Sequence, residues 1–186
     1  DPGLKSETWR VEVRRPRFEH PRLSAKWFKI RPEKELPGYR YTIWIDGGIV
    51  LSTASFADTV LSALNGSGLA FFKHPVRENI FDEAEASKTL PKYAALPLIE
   101  QVEHYRNRGY PGTNGLFAAG VIVRDNSKRA LRSFGRRWMR ENLRWTYQDQ
   151  LSLPYVLWRS GITPGTIPYD LWDNPLFSLR EHNSEL

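Results

Sequence analysis

Asp46 follows aromatic and β-branched residues and precedes two glycines, in the stretch YTIWIDGGIVL at residues 41–51. Residues of the first kind suit a pleated, mostly buried strand. Gly47 and Gly48 lower strand propensity and allow close approaches that a side chain would forbid. A carboxylate there sits where the strand leaves its sheet, the edge at which open α/β sheets bind ligands. A hairpin turn accounts for the same residues equally well. The stretch FFKHPVRENIFDEAEA at residues 71–86 places His74 and Arg77 directly after a second apolar run. Histidine can ligate a metal or donate to phosphate, and arginine forks onto phosphate oxygens. Glu83 and Glu85 follow on a helix, although a lone histidine after a strand is more often structural. A third stretch, WTYQDQLSLPY at residues 145–155, sends Asp149 and Gln150 into an apolar run. A charge is costly there unless it is bonded. Asp149 reads as a helix N-cap, or as a group that binds sugar hydroxyls or acts as a base.

The elements that must position these residues alternate in type. Residues 8–13 read as a short strand, 23–31 as a helix stopped by Pro32, and 41–45 as a strand. Residues 55–64 read as a helix with Ser55 as N-cap, closed by Asn65-Gly66. A buried strand follows at 69–73, then helices at 79–87 and 94–108, the second ending at Gly109. Residues 118–124 read as a third strand, and 127–144 as a long basic helix capped by Asp125 or Asn126. From Pro154 onward, prolines and aromatics alternate with little periodicity. Strands separated by helices indicate an α/β sheet.

At 186 residues the chain has the length of one ordinary domain. Its net charge of +6 and pI near 9.6 point to acidic partners: nucleic acid, an anionic membrane or phosphorylated small molecules. The absence of cysteine excludes disulfides, thiolate metal sites and a cysteine nucleophile, and fits a reducing, cytoplasmic compartment. No apolar run reaches the length of a membrane span. Met139 is the one methionine, so Asp1 is not an initiator and something upstream is expected to be missing. In the basic helix, Leu131, Phe134, Trp138 and Trp145 fall near core spacing, while Arg132, Arg136, Arg137, Arg140 and Arg144 fill much of the rest. That pattern indicates a solvated cationic face rather than a nucleic-acid surface with free stacking rings. The glycine-rich NRGYPGTNGL lacks the Lys-Ser/Thr of a P-loop, and no G-x-G-x-x-G, His-Glu-x-x-His or Gly-x-Ser-x-Gly occurs.

Taken in order, RLSAKWFKIRPE, YTIWIDGGIVL, LAFFKHPVRENIFDEAEA, QVEHYRNRGYP, GLFAAGVIVR and WTYQDQLSLPY resemble one family. That family is named after plant mucilage-related glycosyltransferase-like proteins and an alkaline ceramidase. The stretches run from Arg22 to about Tyr155, leaving 156–186 as an aromatic, proline-rich tail. The resemblance implies a single domain of the GT-A type, an α/β/α sandwich with a mostly parallel central sheet. It also implies a nucleotide-sugar donor, a glycan or other acceptor, no specific nucleic acid, and a divalent cation, Mn²⁺ or Mg²⁺. Asp46 matches the first acid of the family's metal-holding D-x-D element, with Gly47 and Gly48 letting a diphosphate approach. His74 and Arg77 match a His-Pro-x-Arg element, a metal ligand and a phosphate or sugar contact. Arg22, Lys26 and Lys29 match a basic segment placed to clamp the diphosphate. Asp149 and Gln150 match an Asp-Gln near sugar or acceptor, and Asp149 or Glu83 would be the general base. In a larger membrane-anchored eukaryotic protein the compartment would be the Golgi lumen.

The chain departs from the family pattern at three places. Gly48 stands where D-x-D has its second acid, and Glu33 stands where members usually carry a histidine. Members also begin with a βα unit, whereas only one short expected strand precedes Arg22. Two other function classes fit the same residues: a non-catalytic glycan- or anion-binding module, and a lipid amide hydrolase. Trp158, Tyr169 and Trp172 of the tail read as core aromatics or as sugar-stacking rings.

Overall fold

In a computed structural model that describes residues 3–180, the long apolar runs become the inner strands of a four-stranded sheet. These are β3 (Leu69–Lys73) and β4 (Phe117–Asp125), buried along nearly all their length. β1 (Tyr41–Ile45) lies on the outer side of β4, and the two-residue β5 (Gly165–Thr166) on the outer side of β3. β4 runs antiparallel to β1 and to β3, and only β3 and β5 pair in parallel. The expected mostly parallel sheet is therefore corrected to a mixed one. The reason lies in where the chain re-enters. It starts β4 at the end where β3 finishes, and the His74 N–H donates to the Leu116 carbonyl there at 2.9 Å. β4 must then run back between β1 and β3, which point the same way. Their carboxyl ends share one sheet edge, and Asp46 and His74 leave the sheet at that edge.

Strand alternation gives each face its own core. Leu69, Phe71 and Ile122 face α1 (Pro21–Ile30), α4 (Ile80–Lys88), α5 (Leu98–Asn107), α6 (Arg129–Arg144) and α7 (Asp149–Ser160). Ala70, Phe72, Val121 and Val123 face the other way, toward Phe56 and Val60 of α3 (Phe56–Ser62) and Phe177. The short α2 (Pro32–Glu35) follows α1 directly. The Asp46-Gly47-Gly48 turn is not a hairpin. The Ile49 N–H donates to the Asp46 carbonyl at 3.0 Å, but β2 (Ile49–Leu51) pairs with β6 (Phe177–Leu179) in a separate two-stranded sheet. The turn thus hands the chain from one sheet to the other. Neither glycine adopts a left-handed conformation, and the space beside Gly47 is open.

Several local expectations are overturned. Residues 8–13 form no strand and run exposed along the surface. The Ser55 side chain does not cap α3, sharing a hydrogen bond with Thr53 instead. α5 begins at Leu98, not at residue 94. Lys128, not Asp125 or Asn126, precedes α6, with no side-chain cap. Asp125 accepts from the N–H and hydroxyl of Ser127, while Asn126 donates to the Tyr39 carbonyl and Thr42. The chain after Pro154 is no irregular tail at first. α7 runs through Pro154 and ends on Gly161 at φ 61°. Burial of Leu151, Leu153, Val156 and Leu157 outweighs the backbone hydrogen bond that proline removes. Asp1 and residues 181–186 of the expected tail lie outside the described residues. None of the described helices is long and apolar enough to cross a membrane.

Candidate functional site

Lys26 and Lys29 are three residues apart on α1 and so share one helix face. That face meets the first turn of α7. The Lys26 ammonium lies 2.9 Å from Asp149 Oδ1 and the Lys29 ammonium 3.0 Å from Oδ2. Lys29 also reaches Asp46 Oδ1 at 3.4 Å. Strand period two places Trp44 on the same side as Asp46, and its indole N–H donates to Asp46 Oδ1 at 2.6 Å. Lys29 and Asp149 are buried, whereas the Asp46 side chain is 48 % exposed. Oδ2 of Asp46 takes no hydrogen bond among the described residues. Burial alone would raise the Asp149 carboxyl, but the two lysines outweigh it and hold the group at about 2. A carboxylate held there is a poor proton acceptor at neutral pH. It does not cap α7 either. Trp138 of α6 fixes the start of α7 from below, donating to the Asp149 carbonyl and to Ser152 Oγ at 3.1 Å each.

A second cluster forms where β3 ends. The His74 Nδ1 accepts from the N–H groups of Val76 and Arg77 at 3.2 and 2.9 Å, which closes the His-Pro-x-Arg turn. Arg77 Nε donates to Glu83 Oε2 at 2.5 Å, and His74 Nε2 stands 3.6 Å from the same oxygen. The other Glu83 oxygen accepts from Ser87 Oγ at 3.1 Å and from Gln148 Nε2 at 3.3 Å. Burial lowers the His74 ring below the usual histidine value; Glu83 pulls it up and Arg77 presses it down. The ring is neutral near pH 7, and with Nδ1 accepting, its proton sits on Nε2 facing Glu83.

One peptide joins the two clusters. Gln148 bonds Glu83 and Ser87, and the next residue, Asp149, holds the lysines. Of the residues singled out by sequence, Lys26, Lys29, Asp46 and Asp149 come together, and so do His74, Arg77 and Glu83. Arg22 stays outside both clusters, its guanidinium 5.0 Å over the Tyr147 ring and donating to the Tyr147 hydroxyl and the Lys92 carbonyl. The Gln150 side chain enters neither network, and its Nε2 is buried without a partner. Sequence reading missed Trp44, Ser87 and Gln148. Strand alternation would have found Trp44, and the four-residue helical spacing from Glu83 would have found Ser87.

The residues do not fit a divalent cation held jointly by Asp46 and His74. The two sit in different clusters, one Asp46 oxygen already faces an ammonium and an indole, and the free edge of His74 faces Glu83 and Arg77. Among the described residues no three acid or histidine side chains gather as ligands.

A cavity of about 400 Å³ opens along the outer edge of β1, beside Lys29 and Trp44. Phe28, Leu36 and Ile43 make it apolar, Arg10 and Arg14 line it from the amino-terminal segment, both paired with Glu12, and Glu35 lines it too. Arg124 lines it as well. This guanidinium is fully buried and donates from Nη1 to the Ile30 carbonyl at 2.8 Å, while Nε and Nη2 have no partner. Burial pulls it down to about 10, so it stays charged at neutral pH. Elsewhere, Phe134 and Trp138 of α6 are buried as their spacing requires. In the tail, Trp158 packs on Tyr110 and Tyr155, whereas Tyr169 and Trp172 are exposed.

Comparison with known proteins gives two matches. Residues 4–171 match the family described as TOD1/MUCI70, glycosyltransferase-like domain. The chain is 29 % identical over 167 residues to a protein of Arabidopsis thaliana named probable hexosyltransferase MUCI70. That alignment covers 84 % of this chain and 28 % of the relative, so the chain spans little more than a quarter of the relative's length. No solved structure matches.

Proposed function

This chain belongs to the TOD1/MUCI70 glycosyltransferase-like domain family, and we propose that it binds the diphosphate of a nucleotide-sugar donor through Lys26 and Lys29. One observation carries the reading: at the sheet edge the ammonium groups of Lys26 and Lys29 converge on the carboxylate of Asp149, and the buried Lys29 also reaches Asp46. The paired ammonium groups adjoin a half-exposed carboxylate, an open turn and a cavity whose walls are apolar with charges of both signs. The cavity suits the nucleoside, with Trp44 and Phe28 beside it and the unpartnered guanidinium edge of Arg124 as a further donor.

In this reading the bond between the sugar's anomeric carbon and the diphosphate oxygen breaks as an acceptor hydroxyl attacks. Charge accumulates on the departing diphosphate, where preoriented ammonium groups stabilise it most. Asp149 acts through the lysines, holding them in place rather than taking a proton. Asp46, fixed by Trp44, orients the donor from its free oxygen. Gly47 leaves room for the phosphates. Glu83 is the group placed to take the acceptor proton, with Arg77 and His74 fixing its carboxylate. Gln150 has no part in this arrangement beyond an amide awaiting a partner.

A second reading, a glycan- or anion-binding module without transfer, is favoured by Gly48 in the place of a second acid. Among the described residues His74 hydrogen-bonds to no serine, threonine or tyrosine hydroxyl, so no observation here speaks for a lipid amide hydrolase. Calorimetric titration with nucleoside diphosphates and nucleotide sugars, followed by an assay for sugar release, tests the reading. Donor binding with turnover supports transfer, and binding without turnover favours the second reading. No binding of any nucleoside diphosphate rejects both donor roles.

A further inference from the structure

Beyond the His74–Arg77 turn, toward the β5 edge of the sheet and away from the β1 edge, lies a groove of about 680 Å³. This is within the roughly 300–1,000 Å³ typical of small-ligand clefts. Its floor is where β3 ends and β4 begins, at Lys73 and Phe117. One bank is the loop at residues 112–115, and the other is the approach to β5 at residues 163–166. The first bank is built rather than slack. Gly112 has φ 75°, and a Cβ there would stand 2.6 Å from the Phe81 ring, so only glycine lets the loop seat on α4. Seated so, the loop presents Thr113 and Asn114 to solvent.

Several polar side chains of this groove are unspent, whereas Asn79 caps α4 and His74 and Arg77 bond within their turn and to Glu83. Those of Thr113, Asn114, Thr163 and Thr166 make no hydrogen bond within the described protein, and Lys73 has no ion pair. A hydroxyl both donates and accepts, and an amide carries one acceptor and two donors. Hydroxyls and amides converging on one concave surface match a ligand that is itself rich in hydroxyls. An apolar peptide or lipid would leave them unpaired at a cost. We propose that this groove holds the acceptor, a short glycan segment, and delivers its terminal hydroxyl toward Glu83. Arg77 and His74 line the groove and also contact Glu83, which links the groove to the transfer residues. The proposal rests on the transferase reading above for its direction, but the glycan site stands on the groove itself.

The test uses the full chain on an array of immobilised neutral and uronate-bearing oligosaccharides, with a parallel calorimetric titration of UDP and GDP. Three proteins are compared: wild type, the double variant Thr113→Ala/Asn114→Ala, and Thr163→Trp, which fills the groove from its other bank. All three positions are exposed, and their side chains bond nothing in the protein, so unchanged melting temperatures are expected. Wild type is expected to bind a subset of glycans. Both variants should bind them at least about tenfold more weakly while keeping nucleoside diphosphate affinity. Glycan binding that both variants retain, or no glycan binding beside intact nucleotide binding, overturns the groove assignment. Glycan binding lost in the variants, with no nucleotide binding in wild type, upholds the groove and removes the donor reading alone.

Discussion

Lys29 stands 3.0 Å from the carboxylate of Asp149 and 3.4 Å from that of Asp46, joining the start of α7 to the end of β1 through one buried ammonium. With Lys26 on the other Asp149 oxygen, the acid faces two cations and each cation shares it. Removing the acid strands buried charge. Asp149→Asn should therefore cost about 3–5 kcal/mol of stability, the usual penalty for breaking a buried pair. Urea unfolding with a midpoint like that of wild type would show that the pair holds nothing together. The double variant Lys29→Met/Asp149→Leu should recover much of the loss, because it removes the buried ammonium as well and the charges left, on Lys26 and Asp46, reach solvent.

The same pair sets an acid limit. The folded Asp149 carboxyl lies at about 2, below its ordinary value of 3.8. A depressed acid contributes stability that is present above the unfolded value and is lost as pH falls through the folded one. Stability should thus fall by about 2 kcal/mol between about pH 5 and pH 2 through this group. The check is the difference between wild type and Asp149→Asn across that range. A difference that stays constant from pH 6 to pH 2 would mean the carboxyl is not depressed.

Trp44→Phe removes the indole donor from Asp46 and keeps most of the ring. If Asp46 orients the donor, nucleoside diphosphate affinity should drop about tenfold, the worth of one charge-assisted hydrogen bond, with little change in melting temperature. Unchanged affinity would take Trp44 out of the site.

How far the sequence led can be judged from these same residues. The edge that carries Asp46 and His74 was legible, because apolar runs ending in Asp46 and His74 mark strand ends. The lysines were grouped with Arg22 through the resemblance to a basic segment, and helical spacing puts Lys26 and Lys29, but not Arg22, at the site. What the lysines bind was not legible. Asp149 reads locally as a helix cap, and only the packing of α1 against α7 turns it into their counter-ion. The direction of β4 was hidden for the same kind of reason, since local pattern does not say at which end of the sheet a strand begins. Pro154 misled because a local rule was outweighed by the burial of four apolar side chains around it. The pairing of Asp46 with His74 as metal ligands came from resemblance, and the two side chains lie in separate clusters, with Lys29 and Trp44 on one and Glu83 and Arg77 on the other.

The basic helix gives a further outcome. Its rings are buried, so the arginines around Trp138 form a charged face without a stacking surface. Binding to single-stranded nucleic acid should be weak and should fall steeply with salt. Tight binding at physiological salt that Arg136→Ala or Arg140→Ala abolishes would contradict this.

Calorimetric titration of UDP and GDP in EDTA, wild type against Lys26→Gln, most directly tests whether the lysines take the diphosphate. Lys26 is the less buried of the two, so the variant should fold, and its melting temperature is the control. The lysine account predicts binding without a divalent cation, weakened about ten- to a hundredfold in Lys26→Gln. Equal affinity in the two proteins, or binding that returns only when Mn²⁺ or Mg²⁺ is added, would contradict it.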